Sequence, residues 1–390
     1  MKFAKRMQNL SPSVTMAVTA LARELKEQGR DILSFSAGEP DFDTPNVIKD
    51  AAIEGLKLGH TKYTAVDGIK DCKQAIITKL KRDHGLNYEL GDVLVSNGAK
   101  HSLFNLFQVL IEDQDEVIIP APYWVTYPEQ VKYANGVPVF IDTNENTNFK
   151  ITATQLQEAI TSKTKILLLN TPSNPTGSIY SKEELESLAA VLKGTDILVF
   201  SDEMYEKIIY DNKKFTAVAQ ISQDMFERTV TINGLSKSAA MTGWRFGYLA
   251  TPHKDLVKAM TKLQGQCTSN INSITQDAAI PALEGKADEK IAMMNAAFED
   301  RRNYGVKAFN AIHNLSCSNP EGAFYLFVNI KNISNDSVQF CSLLLEKEGV
   351  AVVPGLAFGS EGYFRFSFAT DLDSIKEGIK RIERFVKETF

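Results

Sequence analysis

Long apolar runs, paired cysteines, a charge excess and nucleotide-binding glycine motifs are all missing from this 390-residue chain. No stretch of about 18 apolar residues exists to span a bilayer. The opening MKFAKRMQNLSPS carries positive charges without an apolar core behind them, so it does not read as a secretory signal. Cys72, Cys267, Cys317 and Cys341 lie far apart with no Cys-x-x-Cys pair. That spacing argues against a disulfide framework or a zinc site, and for reduced thiols in the cytoplasm. Lys and Arg number 43 against 48 Asp and Glu, a net charge of -5. No basic excess therefore points to nucleic acid or an anionic membrane, and no basic helix-turn-helix pattern precedes residue 40. The absence of G-x-G-x-x-G and G-x-x-x-x-G-K-[ST] removes the common dinucleotide and P-loop readings. The five histidines show no ligand pair in sequence, so no metal is expected. No fixed-period repeat or low-complexity segment occurs.

What is present is enough apolar material, 44% of residues, for roughly two domains. Short β-rich runs alternate with helical patterns: VLV at 93–95, EVIIP from 116, VPVFI from 137, KILLL from 165, DILVF from 196 and TVTIN from 229. This alternation predicts an α/β fold with a mostly parallel sheet covered by helices. The stretch SKEELESLAAVLK at 181–193 opens with Ser and has Glu three residues later, the spelling of a capping box. From about residue 285 the pattern changes to a long helix, GAFYLFVNI, a helix near 336–348 and YFRFSF, which predicts a smaller α+β domain. The expected division is 1–45 packing with the small domain, 46–285 as the large domain, and 286–390 as the small one.

In such sheets ligands gather beyond the carboxyl ends of the strands. The residues there are polar and specific: SNGAK, TPSNPTG, SDEMY and GLSKS. Lys237, eight residues before Arg245, offers an amine for imine formation beside a guanidinium that suits a phosphate, although a lone lysine is ordinarily a solvated charge. Asp202 is either a cap for the following turn or a carboxylate that keeps a ring nitrogen protonated. Tyr205 is either a packed aromatic or a donor to a ring oxygen. Asn174 in SNPTG is a turn former whose amide suits the same oxygen, and the Asn174–Pro175 bond is expected to be cis, in a turn that aims the amide inward. Gly98, Ala99 and Lys100 open a helix directly after a strand, so their backbone N–H groups form either a plain tight turn or a phosphate cup. Trp124 either fills core or stacks on a flat ring. Arg365, in FRFSF, is either a salt-bridge partner or a carboxylate clamp.

SAGEPDFDTP, SNPTG, SDEMYE, NGLSKSAAMTGWRFGY and GVAVVPG followed by FRFSFAT occur in one order along almost the whole chain. On these motifs the sequence resembles the fold-type-I, pyridoxal-phosphate-dependent aminotransferases, and among them the bacterial-type aspartate aminotransferases. The resemblance implies a large domain built on a seven-stranded, mostly parallel sheet, with the cofactor held as a Schiff base on Lys237. It implies that Lys237 shuttles the substrate proton, Asp202 pairs with the pyridine nitrogen, Tyr205 and Asn174 with the 3-oxygen, and that Trp124 stacks on the ring. Arg245, Ser236 and the backbone at 98–100 would hold the phosphate. Arg365 and the Gly38 backbone would hold the substrate α-carboxylate, with Trp124 and Asn174 also lining the substrate side. Tyr63 would reach the phosphate of a neighbouring subunit in a homodimer with shared sites. Lys100, Thr15 and Ser13 would read a distal carboxylate, implying aspartate and 2-oxoglutarate as substrates. Aromatic or prephenate-type substrates, or C–S lyase chemistry, are the alternatives on the same scaffold. Gly234 stands where the family often has a serine three residues before the lysine, a departure that leaves one side-chain phosphate contact open.

Overall fold

The computed structural model describes residue 1 and residues 3–390. Among the described residues thirteen strands are formed, in chain order β1 (Leu33–Ser34), β2 (Val93–Asn97), β3 (Glu116–Ala121), β4 (Val137–Asp142), β5 (Thr164–Asn170), β6 (Leu198–Asp202), β7 (Thr229–Gly234), β8 (Phe246–Ala250), β9 (Ser316–Cys317), β10 (Tyr325–Asn329), β11 (Val350–Ala351), β12 (Val353–Pro354) and β13 (Tyr363–Ser367). Seven make one sheet in the order β2-β8-β7-β6-β5-β3-β4. All its pairings are parallel except those of β8, which runs antiparallel to both β2 and β7. The six apolar runs of the sequence are strands β2 to β7. The seventh, β8, is the FGYLA that ends the lysine motif.

Central strands of a sheet covered on both faces are apolar throughout rather than alternating. Accordingly Val199 and Phe200 of β6 and Ile166 and Leu167 of β5 are all 0% exposed. The covering helix Lys182–Leu192 starts as its spelling predicts. Glu184 N–H donates to Ser181 Oγ at 3.2 Å and Ser181 N–H donates to the Glu184 carboxylate at 2.7 Å, a cap of about 1 kcal/mol. Leu185, Leu188 and Leu192 then share one buried face.

β3 pairs with β4 on one side and with β5 on the other, so the direction of strand addition reverses between β3 and β5. A crevice must open at such a reversal, beyond the strand ends. A second, antiparallel sheet, β12-β13-β10-β9, supplies the opposite wall. The chain before the first large helices joins it: Leu33 pairs with Val350 and Ser34 with Ala351, and the Ser367 N–H donates to the Phe35 carbonyl at 2.9 Å. Residues 36–38 are thereby placed against β13.

Candidate active site

One cleft of about 350 Å³ lies at the carboxyl ends of β5, β6 and β7 and is closed by β10 and β13. Thr15, Gly38, Ala99, Lys100, Trp124, Asn174, Asp202, Tyr205, Ser236, Lys237, Arg245 and Arg365 all line it. Three residues singled out in the sequence do not. Gly98 is the cap residue just behind Ala99, at φ 81°. Ser13 is exposed, and its hydroxyl caps the helix Val14–Glu27 by accepting from the Met16 N–H at 3.4 Å. Tyr63 is 90% exposed on the surface of this single chain.

Lys237 sits in the connection between β7 and β8, whose ends are clamped together by the Gly234 to Gly247 pairing. Its Nζ donates to the Gly38 carbonyl oxygen at 2.6 Å, with no charged acceptor. Burial, reinforced by Arg365, Arg245 and Lys100 against the opposing pull of Glu39, lowers its pKa to about 8. About a tenth of the amine is then neutral and nucleophilic at pH 7, far more than for an ordinary lysine. Arg245, at the far end of the same connection, adopts φ 58°, a left-handed conformation that costs a non-glycine residue about 1 kcal/mol. Its Nη1 donates to the Thr242 carbonyl at 2.9 Å.

Asp202 ends β6 and is 5% exposed. Tyr127 donates to its Oδ2 at 2.7 Å and the Met204 N–H to its Oδ1 at 3.3 Å. The turn-capping role and the inward-facing role are thus divided between its two oxygens. Burial pushes its pKa up to about 6 despite those donors and the Lys237 charge. A cation bonded here would restore the carboxylate.

Asn174 follows β5, and the Asn174–Pro175 bond is cis as expected. Ala121–Pro122 and Thr171–Pro172 are cis as well, which the sequence reading did not anticipate. Arg365 Nη1 donates to Asn174 Oδ1 at 2.9 Å, and since a guanidinium only donates, the amide is fixed with its nitrogen left as a donor. Arg365 Nη2 donates to the Ser36 carbonyl at 2.7 Å. Its Nε has no partner although the residue is 2% exposed, and an orphaned cationic donor in a cleft favours an anion. Of the two sequence readings, the salt bridge is not formed: both acceptors of Arg365 are neutral.

Lys100 Nζ lies 4.9 Å from the centre of the Trp124 ring, and burial together with Arg245 lowers its pKa. Gly234 leaves no room for the family's serine, because a Cβ there would lie 2.6 Å from the Phe246 carbonyl oxygen.

The cleft also contains residues that the sequence reading missed: Met16, Tyr127, Asn170, Met204, Thr242 and Tyr325. Asn170 had a usable signal as the last residue of the KILLLN run. Its Nδ2 donates to the Asp202 carbonyl at 3.0 Å and its Oδ1 accepts from the Asn174 N–H at 2.8 Å, so it ties two loops together. The histidines hold another surprise: His84, Glu203 and Glu206 converge within 4.8 Å. Lys79 Nζ is hydrogen-bonded to Glu206 and sits 3.4 Å from His84 Nε2, so an ammonium group already supplies the positive charge there.

The family model for aminotransferases of class I and II matches residues 30–382. The chain belongs to this family. It is 49% identical to the aspartate aminotransferase of Bacillus subtilis (strain 168) over 393 residues, covering 100% of both chains. It is also 49% identical to the aspartate/prephenate aminotransferase of Nitrosomonas europaea, covering 98% of this chain and 99% of the relative. The crystal structure of the Rhizobium meliloti aspartate aminotransferase superimposes with a TM-score of 0.96 at 40% identity, covering 99% of each chain. The Thermus thermophilus aspartate aminotransferase with maleate gives 0.95 at 39% identity, covering 98% of this chain and 99% of that one. An aminotransferase of this family implies pyridoxal phosphate, and the residues present fit it. They offer an amine with a lowered pKa, a buried acid with no cation bonded to it, and cationic groups bonded only to neutral acceptors.

Proposed function

We propose that this aminotransferase moves the amino group of L-aspartate to 2-oxoglutarate, giving oxaloacetate and L-glutamate, with pyridoxal phosphate bound to Lys237 as a Schiff base. The observation that carries the reading is a single cleft holding the Lys237 amine, the buried Asp202 and the Arg365 guanidinium with its free Nε. When bound, the cofactor supplies an electron sink that lets the substrate Cα–H bond ionise. The chain's own groups do the rest. Asp202 would pair with the pyridine nitrogen, Tyr205 and Asn174 would donate to the 3-oxygen, and Trp124 would pack on the ring. Ser236, Arg245, Tyr63 of a second copy and the backbone at 98–100 would hold the phosphate. Arg365 and the Gly38 backbone would orient the α-carboxylate, and the Lys237 amine would serve as base and acid for the substrate Cα proton.

Lys100 and Thr15 are assigned to the distal carboxylate, with Ser13 reaching it by movement of the N-terminal segment. A homodimer is supported by the exposure of Tyr63 together with Ile53, Leu56 and Leu58, an apolar surface suited to a second copy. The proposed division is a large unit over 46–285, a small one over 286–390 and a segment 1–45 packing with the small one; the positions of the seven-stranded and four-stranded sheets along the chain support it. A cytoplasmic setting is supported by four free thiols, and among the described residues no helix is long and apolar enough to cross a membrane.

The test is the visible spectrum of purified protein. A band that L-aspartate bleaches and 2-oxoglutarate restores, absent in Lys237→Ala, is the expected result. No band after addition of pyridoxal phosphate would sink the reading. The Nitrosomonas relative's name favours prephenate as a second acceptor, so a band restored by prephenate as well would broaden the substrate assignment. Release of pyruvate from cysteine-type substrates would instead mark a lyase.

A further inference from the structure

Tyr325 is a buried phenol at the cleft with no role in the assignment above. Its hydroxyl lies 2.8 Å from that of Tyr205, and the two residues are 1% and 4% exposed. A phenol has one proton to give. Within this pair, therefore, one hydroxyl donates and the other keeps its own proton for a different acceptor. Arg365 decides which. It sits on β13 beside β10, and its Cζ lies 4.3 Å from the centre of the Tyr325 ring. A guanidinium over the ring face draws electron density out of the phenol and makes Tyr325 the better donor. Tyr205 then receives, and its proton is left for the cleft. Gly38 fits the same arrangement: a Cβ there would lie 2.3 Å from the Tyr325 hydroxyl oxygen, so only glycine admits the hydroxyl at this point.

We propose that Tyr325 is a positioning residue that aims the Tyr205 hydroxyl proton at the cofactor's 3-oxygen and ties that contact to the carboxylate clamp at Arg365. The proposal rests on the reading of the cleft as a pyridoxal phosphate site. Its physical content concerns the proton on Lys237 Nζ. Donors aimed at the 3-oxygen stabilise the form in which that oxygen carries full negative charge, which is the form left when Nζ loses its proton. Weakening the donor therefore makes Nζ hold its proton to higher pH.

The experiment is a spectrophotometric pH titration of the cofactor-loaded protein, comparing the parent with Tyr325→Phe, Tyr205→Phe and the double variant. The midpoint is expected to rise by about 0.5–1 pH unit in Tyr325→Phe, the worth of one hydrogen bond, and by more in Tyr205→Phe. In the Tyr205→Phe background the second substitution should add nothing, because its effect passes through Tyr205. A purely structural phenol would lower the melting temperature of the cofactor-free protein while leaving the midpoint unmoved, and that result would overturn the proposal. So would a fall in the midpoint, or a shift that persists without the Tyr205 hydroxyl. A parent protein with no titrating visible band defeats the cofactor reading itself, and this proposal with it.

Discussion

Two clusters of charged residues meet at the end of β6, built on adjacent residues. Asp202 faces the cleft with Lys237, Arg245 and Arg365, while Glu203 joins Lys79, His84 and Glu206. In the second cluster the charges of Glu206 and Asp83 are answered by cations, while Glu203 is held by neutral donors. His84 Nε2 is 2.6 Å from Glu206, Lys79 bonds Glu206, Lys207 is 2.9 Å from Asp83, and Ser201 donates to Glu203 at 2.8 Å. Burial works against ionised Glu206, but Lys79 and His84 outweigh it and hold the carboxyl well below the usual range. Glu203, mainly through burial, is pushed up to about 7. In the cleft, by contrast, Lys237 and Arg245 donate to carbonyl oxygens and Arg365 to a carbonyl and an amide oxygen. None of those acceptors is charged. In the second cluster one oxygen, Glu203 Oε2, is left without a partner, and the raised pKa of that carboxyl favours its neutral form, whereas the cleft's cations, satisfied only by neutral dipoles, are stabilised further by an incoming phosphate or carboxylate.

The contrast breaks most sharply at the two lysines. Lys237→Ala should lower the transamination rate by about 10⁴-fold or more while leaving the thermal midpoint of the cofactor-free protein unchanged or raised, since a poorly solvated amine is removed. Kinetics and calorimetry on one preparation decide it; residual activity near the parent's would place the chemistry elsewhere. Lys79→Met should do the reverse. Denaturant unfolding is expected to show a loss of about 3 kcal/mol, with kcat within about threefold of the parent's, because the buried Glu206 carboxylate loses its lysine and keeps only His84. A stable but inactive variant would show that the second cluster also serves the reaction.

A smaller effect sharpens the comparison through pH. Asp202 has its pKa raised in the folded, cofactor-free protein, so between about pH 4 and 6 the folded state keeps a proton that the unfolded chain has lost. Stability from this group therefore falls as pH rises through that window. Cofactor-free Asp202→Asn should gain on the parent by about 2 kcal/mol between those values and stay level above them, in melting curves taken across the range. Once cofactor is bound the advantage should vanish. The smallest expected change concerns selectivity: Lys100→Ala should reduce kcat/KM for aspartate about tenfold relative to an aromatic donor, measured in parallel assays. An equal fall for both donors would remove Lys100 from distal recognition.

The parts of the fold that announced themselves are those whose neighbours are local. Apolar runs marked β2 to β7, and the Ser181 and Glu184 spelling marked a helix start, because each depends on a few adjacent residues. β8 escaped the run pattern because FGYLA is merged with the polar segment that carries Lys237. The cleft was legible where a polar residue stands against expectation at a strand end, as Asp202, Asn174 and Lys237 do. Tyr127 and Tyr325 were not, since a tyrosine in a helix or a β-rich run is spelled like any packed aromatic. What makes them matter, hydroxyls 2.7 Å from Asp202 and 2.8 Å from Tyr205, is a property of distant segments brought together. Ser13 shows the converse: its hydroxyl suits a ligand on paper but is engaged as a helix cap.

The pairing of Leu33 with Val350 sets a timetable for the ribosome's product. At about 5–20 residues per second, roughly a quarter of a minute to a minute separates the synthesis of β1 from that of its partner strand β11. Arg365 emerges later still. During translation the seven-stranded sheet can assemble from residues already made, yet the cleft has one wall and the leading segment waits unpaired. Competence arrives last, with the final strands, so a truncated or stalled chain has the large sheet's residues but lacks the means to grip a substrate.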